Sequence, residues 1–309
     1  MWLRDSANQL QSYRPLLRPS SSSSSLASLF RGAINLQSRY ILSAPHCNAF
    51  HAPPESNLSA SSSFSFTPSI DSVTPSPPPT TVFECKYELD SLAAFLQLSH
   101  DYHSATHDTA FFTSPSSSWV SAISTLLETT SALLEGTYLP NGAVAPAPYT
   151  FQRSTSSAYE TLGNMGVGAP VRGGTGMVRS AFRPSDDACV YQLFVPGNMM
   201  FSRYLGLCAE IMEGLEGGSQ MAGRMRKMAE RIREGVERYG RVYHKKYGRI
   251  YGYEVDGFGG VNAMVSSACC FVAVWGGVRV ERRIGGAKVR WEGERGLKGG
   301  KGRMSVKIS

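Results

Sequence analysis

"CKYELDSLAAFLQLSHDYHSAT", residues 85–106, decides the fold class. Leu89, Ala93, Phe95, Leu96 and Leu98 recur close to a 3.6-residue period, which predicts a helix with a buried face. "SSSWVSAISTLLETTSALLEG", residues 116–136, repeats the pattern, with serines placed to cap its start and Gly136 to end it. "QMAGRMRKMAERIREGVERYGRVY", residues 220–243, sets Met221, Met225, Met228, Ile232, Val236 and Tyr239 along one face. A core stripe is the plain account of those methionines, and the charged opposite face is solvated. Residues 186–212 read as a further helix with a kink at Pro196, and residues 1–17 as a short helical start. Strand signals are scarce. The expected class is all-α, built from helix pairs joined by long loops, of which the Gly- and Pro-rich stretch 139–184 is the longest.

Working outward, residues 18–81 are rich in Ser and Pro and are interrupted by an apolar patch, "AINLQSRYIL". The segment is expected to be an exposed, largely disordered insertion, since its last third lacks the apolar surface to order itself. The 309 residues carry 31 basic and 24 acidic side chains. From Val265 on there are ten basic and three acidic residues, so the tail 265–309 holds the whole net charge of +7. That tail is Gly-rich and aperiodic and has no nucleic-acid-binding motif, so no nucleic-acid partner is expected, although a basic tail can attract polyanions. No apolar run approaches the ~18 residues of a membrane span. The first residues hold no signal-peptide pattern, so localisation stays open, with the secretory pathway or cell exterior possible for a longer protein. Six cysteines form no CxxC pair, which argues against a zinc site, and their spacing defines no disulfide framework. "NLS" at Asn57 is a sequon usable only in a secreted chain.

Three motifs carry chemistry. "WLRDS", residues 2–6, combines a ring that can stack on a sugar, Trp2, with Arg4 and Asp5, which can bind vicinal hydroxyls. The simpler account is an ion pair at a helix start. "YEVDGFGG", residues 253–260, adds Glu254 and Asp256, which alternation would place on one side, or which would line a solvated turn. "RPSDDA", residues 183–188, holds Asp186 and Asp187 behind Ser185, a candidate helix cap. A helix start accounts for one acid through the macrodipole. Two adjacent acids raise each other's pKa, one way of keeping a carboxylic acid protonated for general acid catalysis. "GNMGVGAPVRGGTG", residues 163–176, lacks the Lys-Ser/Thr of a phosphate loop and follows no strand pattern.

These pieces resemble, in order, the glycoside hydrolase family 125 exo-α-1,6-mannosidases, known in fungi as meiotically up-regulated gene products. The resemblance is carried by "MWLRDSANQ", "FECKYELDSLAAFLQLS", the stretch from Tyr149 to Leu205 and "YGYEVDGFGGVNAM". It implies an (α/α)6 toroid of helix hairpins, formed here by residues 1–17 and 82–264, with no metal and no organic cofactor. It implies inverting hydrolysis of a terminal, non-reducing α-1,6-linked mannose, with a mannose-containing glycan as partner. The acid would be Asp187, preferred over Asp186. Trp2, Arg4 and Asp5 would hold the terminal mannose, Glu254 and Asp256 would extend the pocket, and Arg183 and Arg153 would be wall residues.

The chain also departs from the family pattern. A segment like Ile-Thr-Gly-Asp-Ile-Pro-Ala is expected upstream of Met1, an Asp-Asp-Ala-Asn stretch after Met264, and a general base in a later His-Glu-Ser-Phe stretch. None of these is in the sequence. The expectation is therefore a toroid truncated at both ends, with a tail that reads as a translated intron, poor solubility and no hydrolysis. The competing readings are a non-catalytic mannose-binding remnant and a fragment whose tail binds polyanions.

Overall fold

Residues 1–58, 71–245 and 247–262 are described by the computed structural model, together with the backbone of 280–284, 287–293 and 304–308. Helix α1 (Leu3–Gln11) buries Leu3, Ala7 and Leu10, one face at helical spacing. Helix α3 (Leu89–Thr106) is buried nearly all round, from Leu89 and Asp90 to Tyr102. A helix with no solvated face must be an inner one. The outer helices are amphipathic: α1, then α2 (Leu26–Ser43), α5 (Trp119–Ala132) and α7 (Ser219–Tyr239). A one-turn α4 (Ala110–Thr113) precedes α5. Helix α6 (Val195–Glu213) is largely buried and packs on both α3 and α7. Trp119 on α5 is fully buried and donates its Nε1–H to Ser99 Oγ on α3 at 3.0 Å, so the largest core side chain has its polar atom satisfied. The methionine stripe of α7 behaves as expected: Met225, Ile232 and Val236 are buried, and Met221, Met228 and Tyr239 pack against the same core.

Short strands fill the connections. β1 (Ala49–Phe50) pairs with β3 (Val82–Glu84), and β2 (Asp71–Thr74) with β4 (Thr150–Arg153). β5 (Leu193–Phe194), β8 (Glu254–Val255) and β9 (Val261–Asn262) form one sheet with β8 central, and β6 (Arg241–His244) pairs with β7 (Gly248–Tyr251). In the tail, β10 (Val280–Ile284), β11 (Ala287–Gly293) and β12 (Met304–Ile308) pair antiparallel, where an aperiodic segment was expected. Helices still dominate, as the sequence implies.

Two expectations are corrected. The stretch 18–81 is not an insertion apart from the core. Ser25 caps α2 by accepting the Ser28 N–H at 3.1 Å, and Phe30, Ile34, Tyr40 and Ile41 are buried against the other helices. Phe30, Ile34 and Ile41 stand four and seven residues apart on one face, and averaging over a serine-rich window hides them. Buried Gln37 donates through Nε2 to Leu3 O at 3.1 Å and Ser6 Oγ at 2.9 Å on α1, while its Oε1 accepts from no described group. A Cys47–Cys85 disulfide then ties the segment to the start of α3. Residues 59–70, the centre of the expected disorder, lie outside the described residues.

The second correction concerns residues 186–212. Asp186 and Asp187 do not open a helix. α6 begins at Val195, and Pro196 sits in its first turn, where the missing N–H has no intrahelical partner to lose. The expected kink is therefore a helix start.

Candidate active site

Arg183, Pro184, Ser185, Asp186 and Asp187 form a tight reversal. The Arg183 N–H donates to Asp187 O at 2.8 Å, the Asp186 N–H donates to Arg183 O at 2.9 Å, and Phe182 and Ala188 bridge behind it. Pro184 suits the second position of the turn, and Asp186 takes the left-handed conformation that closes it, at φ 63°. Asp is one of the few side chains that tolerate this region. Ser185 does not cap a helix; its hydroxyl donates to Asp187 Oδ2 at 2.8 Å. Opposite backbone conformations at neighbouring positions give the two acids different partners. Asp186 Oδ1 accepts from Asn48 Nδ2 at 3.2 Å, reaching a segment 138 residues earlier.

Arg4 leaves the first turn of α1 and meets two acids at the start of α3. Its Nη1 lies 3.0 Å from Asp90 Oδ2 and 3.4 Å from Glu88 Oε2, while Nη2 lies 3.4 Å from Asp5. Glu88 and Asp90 are buried. Burial drives both carboxyls above the ordinary carboxylate range; Asp90 adds to the rise of Glu88, the charge of Asp186 adds to both, and Arg4 pulls both down. Glu88 Oε1 and Asp90 Oδ1 are buried without any hydrogen-bond partner, a suitable place for a proton to reside. Asp5 points outward, with 53% of its side chain exposed.

A second knot lies beside the first. Arg183 grips Glu254 with two bonds, Nε to Oε1 at 2.5 Å and Nη2 to Oε2 at 3.1 Å. Glu254 is fully buried on β8, where Oε2 also accepts from the N–H groups of Val190 and Tyr191 at 3.0 and 3.3 Å, and from Asn262 Nδ2 at 3.3 Å. The Cys189 thiol is buried: burial first, then Glu254 and more weakly Asp90, push its pKa up.

The sequence-picked residues thus divide. Arg4, Asp5 and Asp186 belong to one cluster, and Arg183 and Glu254 to the adjoining one. Asp256 does not share a face with Glu254: its Oδ1 accepts the N–H groups of Phe258, Gly259 and Gly260 at 2.7, 3.0 and 2.8 Å, so it fastens the glycine turn. Trp2 packs edge-on against Phe83 with ring centroids 5.5 Å apart. Arg153 is held on the β2–β4 sheet by Asp71, at 2.6 Å for both bonds, and by Glu84 at 2.9 Å. Sequence reasoning missed Glu88, Asp90 and Asn48. The available signal for the first two was "YELD": acids flanking Leu89 at the mouth of a helix apolar on every side. Among the described residues no group of three or more His, Cys, Asp or Glu side chains could hold a metal ion.

Residues 1–269 match the family model of the metal-independent alpha-mannosidases, GH125. The chain belongs to the GH125 family. It is 42% identical over 265 residues to the meiotically up-regulated gene 157 protein of Schizosaccharomyces pombe, covering 84% of this chain and 49% of that protein. It is also similar to a solved metal-independent alpha mannosidase of Streptococcus pneumoniae in a non-productive complex with alpha-1,6-mannobiose. There the TM-score is 0.69 and the identity 29%, over 85% of this chain and 56% of that one. The GH125 chain described here thus spans about half the length of the relatives it matches. Its helix-dominated fold is consistent with the (α/α)6 toroid.

Proposed function

We propose that this GH125 chain carries the general-acid side of an inverting glycosidase that releases a terminal, non-reducing α-1,6-linked mannose. The observation that carries the reading is the convergence of Arg4, Glu88, Asp90 and Asp186 from three distant segments, in a chain of a mannosidase family. Arg4 and Asp5 present a donor fork and an exposed acceptor, the pair that a vicinal diol engages. The acid comes from the Asp186–Asp187 turn. The sequence favours Asp187, but the turn's bonds support Asp186, whose charge acts on Glu88 and Asp90 while Asp187 is turned to its own Ser185. Trp2, Arg183 and Glu254 support the walls, and Asp256 fastens the 256–260 turn beside them.

Inversion needs a second carboxylate about 6.5–9.5 Å from the acid to activate water. The resemblance places that base in a His-Glu-Ser-Phe stretch that this sequence does not contain. The 309-residue chain should therefore bind a mannoside without cleaving it. The test is calorimetric titration with α-1,6-mannobiose beside chromatography for free mannose. Binding without release, weakened more by D186N than by D187N, is the expected result. Free mannose would overturn the missing-base reading, and absence of binding would overturn the substrate.

A further inference from the structure

The Asp186 carboxyl is held from outside its own turn by one described side chain, Asn48. Asn48 is fully buried, and both ends of its side-chain amide and its main-chain carbonyl are engaged. Nδ2 donates to Asp186 Oδ1 at 3.2 Å, Oδ1 accepts the Lys86 N–H at 3.1 Å, and the carbonyl accepts the Leu3 N–H at 3.0 Å. One residue thus touches three segments: its side chain joins the segment bearing Glu88 and Asp90 to the turn bearing Asp186, and its main-chain carbonyl holds the segment bearing Arg4. The disulfide joins the residues immediately before the two bonded ones: Cys47 precedes Asn48, and Cys85 precedes Lys86. Both cysteines are buried.

We propose that Asn48 is a positioning residue for the Asp186 carboxyl, and that the Cys47–Cys85 disulfide holds Asn48 in place. The proposal rests on the reading of Asp186 as the acid of the site. An amide N–H directed at one oxygen leaves the other oxygen free to face the glycosidic bond and fixes the plane of the group. The disulfide removes the alternative in which the 47–48 and 85–86 segments slide apart and release the Asn48–Lys86 bond. The charged groups around Asp186 are Glu88 and Asp90 from the α3 start, Arg4 bonded to those two, and Asp187 and Arg183 on its own turn. None of them supplies this amide donor.

The test uses the 309-residue chain and the side-chain amide resonance of Asn48 in a ¹⁵N-labelled sample, read across pH. In the parent protein one Nδ2 proton should lie downfield and its position should follow the ionisation of its partner carboxylate. D186N should abolish that profile. Reduction should do the same: a dithiol reagent delivers two electrons and two protons, the Cys47–Cys85 bond breaks to two thiols, and the reagent closes to its own disulfide. A C47S/C85S double variant serves where the reagent fails to reach the buried bond. An Asn48 resonance unmoved by D186N, or one unmoved when the disulfide is absent, would overturn the proposal.

The functional arm is α-1,6-mannobiose affinity. N48D keeps an acceptor for Lys86 but loses the donor, and should weaken binding roughly tenfold, the effect of losing one hydrogen bond to a charged group. That loss should vanish in a D186N background, a coupling that a merely structural role would not produce. N48S replaces N48D if the latter does not fold. Equal losses in both backgrounds would overturn the positioning role. If the parent chain binds no mannobiose, the mannosidase reading falls, while the amide profile still decides the Asn48–Asp186 contact.

Discussion

Replacing Arg4 by Gln should make the protein's stability fall steeply with pH. Arg4 is the described cation shared by Glu88 and Asp90, at 3.4 and 3.0 Å, and both carboxyls are buried. Without it, burial and mutual repulsion act on them unopposed, and their folded-state pKa values, already raised, rise further. A carboxyl with a raised folded-state pKa leaves stability untouched below its unfolded value near 4. Above that value the folded state binds more protons than the unfolded one, so stability is lost as pH rises. The loss is about 1.4 kcal/mol per pH unit for each carboxyl that stays protonated, hence about 3 kcal/mol between pH 5 and 7 for one of them. This agrees with the range of about 3–5 kcal/mol for breaking a buried ion pair. Urea denaturation at both pH values reads it directly. With a slope near 2 kcal/mol per molar, the R4Q midpoint should drop by about 1.5 M on going from pH 5 to pH 7, and the parent midpoint by less, because Arg4 holds its two carboxyls lower. Parallel midpoints for R4Q and parent across that range would refute the buried-pair reasoning.

Other substitutions probe the remaining parts. F30A should destabilise by about 3–5 kcal/mol, because the ring is fully buried under α2, and a loss below about 1 kcal/mol in chemical denaturation would show that α2 is not core. The C47A/C85A double variant opens a link between residues 38 apart in sequence and should lower stability by about 4 kcal/mol, measured by thermal unfolding with and without reductant. R183K keeps the charge but loses the two-pronged grip on buried Glu254, and should cost about 2 kcal/mol with a fall in mannoside affinity. D256A should loosen the 256–260 turn, seen as faster amide exchange at Phe258, Gly259 and Gly260, while leaving mannoside affinity nearly unchanged.

The parts legible in the sequence are those fixed by local spacing. α3, α5 and α7 announce themselves because four-residue apolar spacing over several turns has few other meanings. α2 hides because its buried face includes Ser38, which bonds back to Ile34 O one turn earlier, and Gln37, whose partners Leu3 and Ser6 are known only once the chain is folded. "RPSDDA" holds two local signals, a capping Ser and a turn-forming Pro, and the turn prevails because the bond between Arg183 N and Asp187 O closes a hairpin. The site residues found early stand in motifs with unusual composition. Glu88, Asp90 and Asn48 were missed because their roles come from partners 84, 86 and 138 residues away.

The grip of Arg183 on Glu254 also bears on how the molecule is made. The two residues lie 71 positions apart. At the usual synthesis rate of about 5–20 residues per second, Arg183 and its turn leave the ribosome about 4–14 seconds before Glu254. Throughout that interval the β5–β8–β9 sheet lacks its central strand, and the Val190 and Tyr191 amides lack their acceptor. The helices before α6 can pack meanwhile through contacts already complete. The nascent chain therefore passes through a state with a formed helical body and an unassembled site, open to any chaperone that recognises unpaired strand edges.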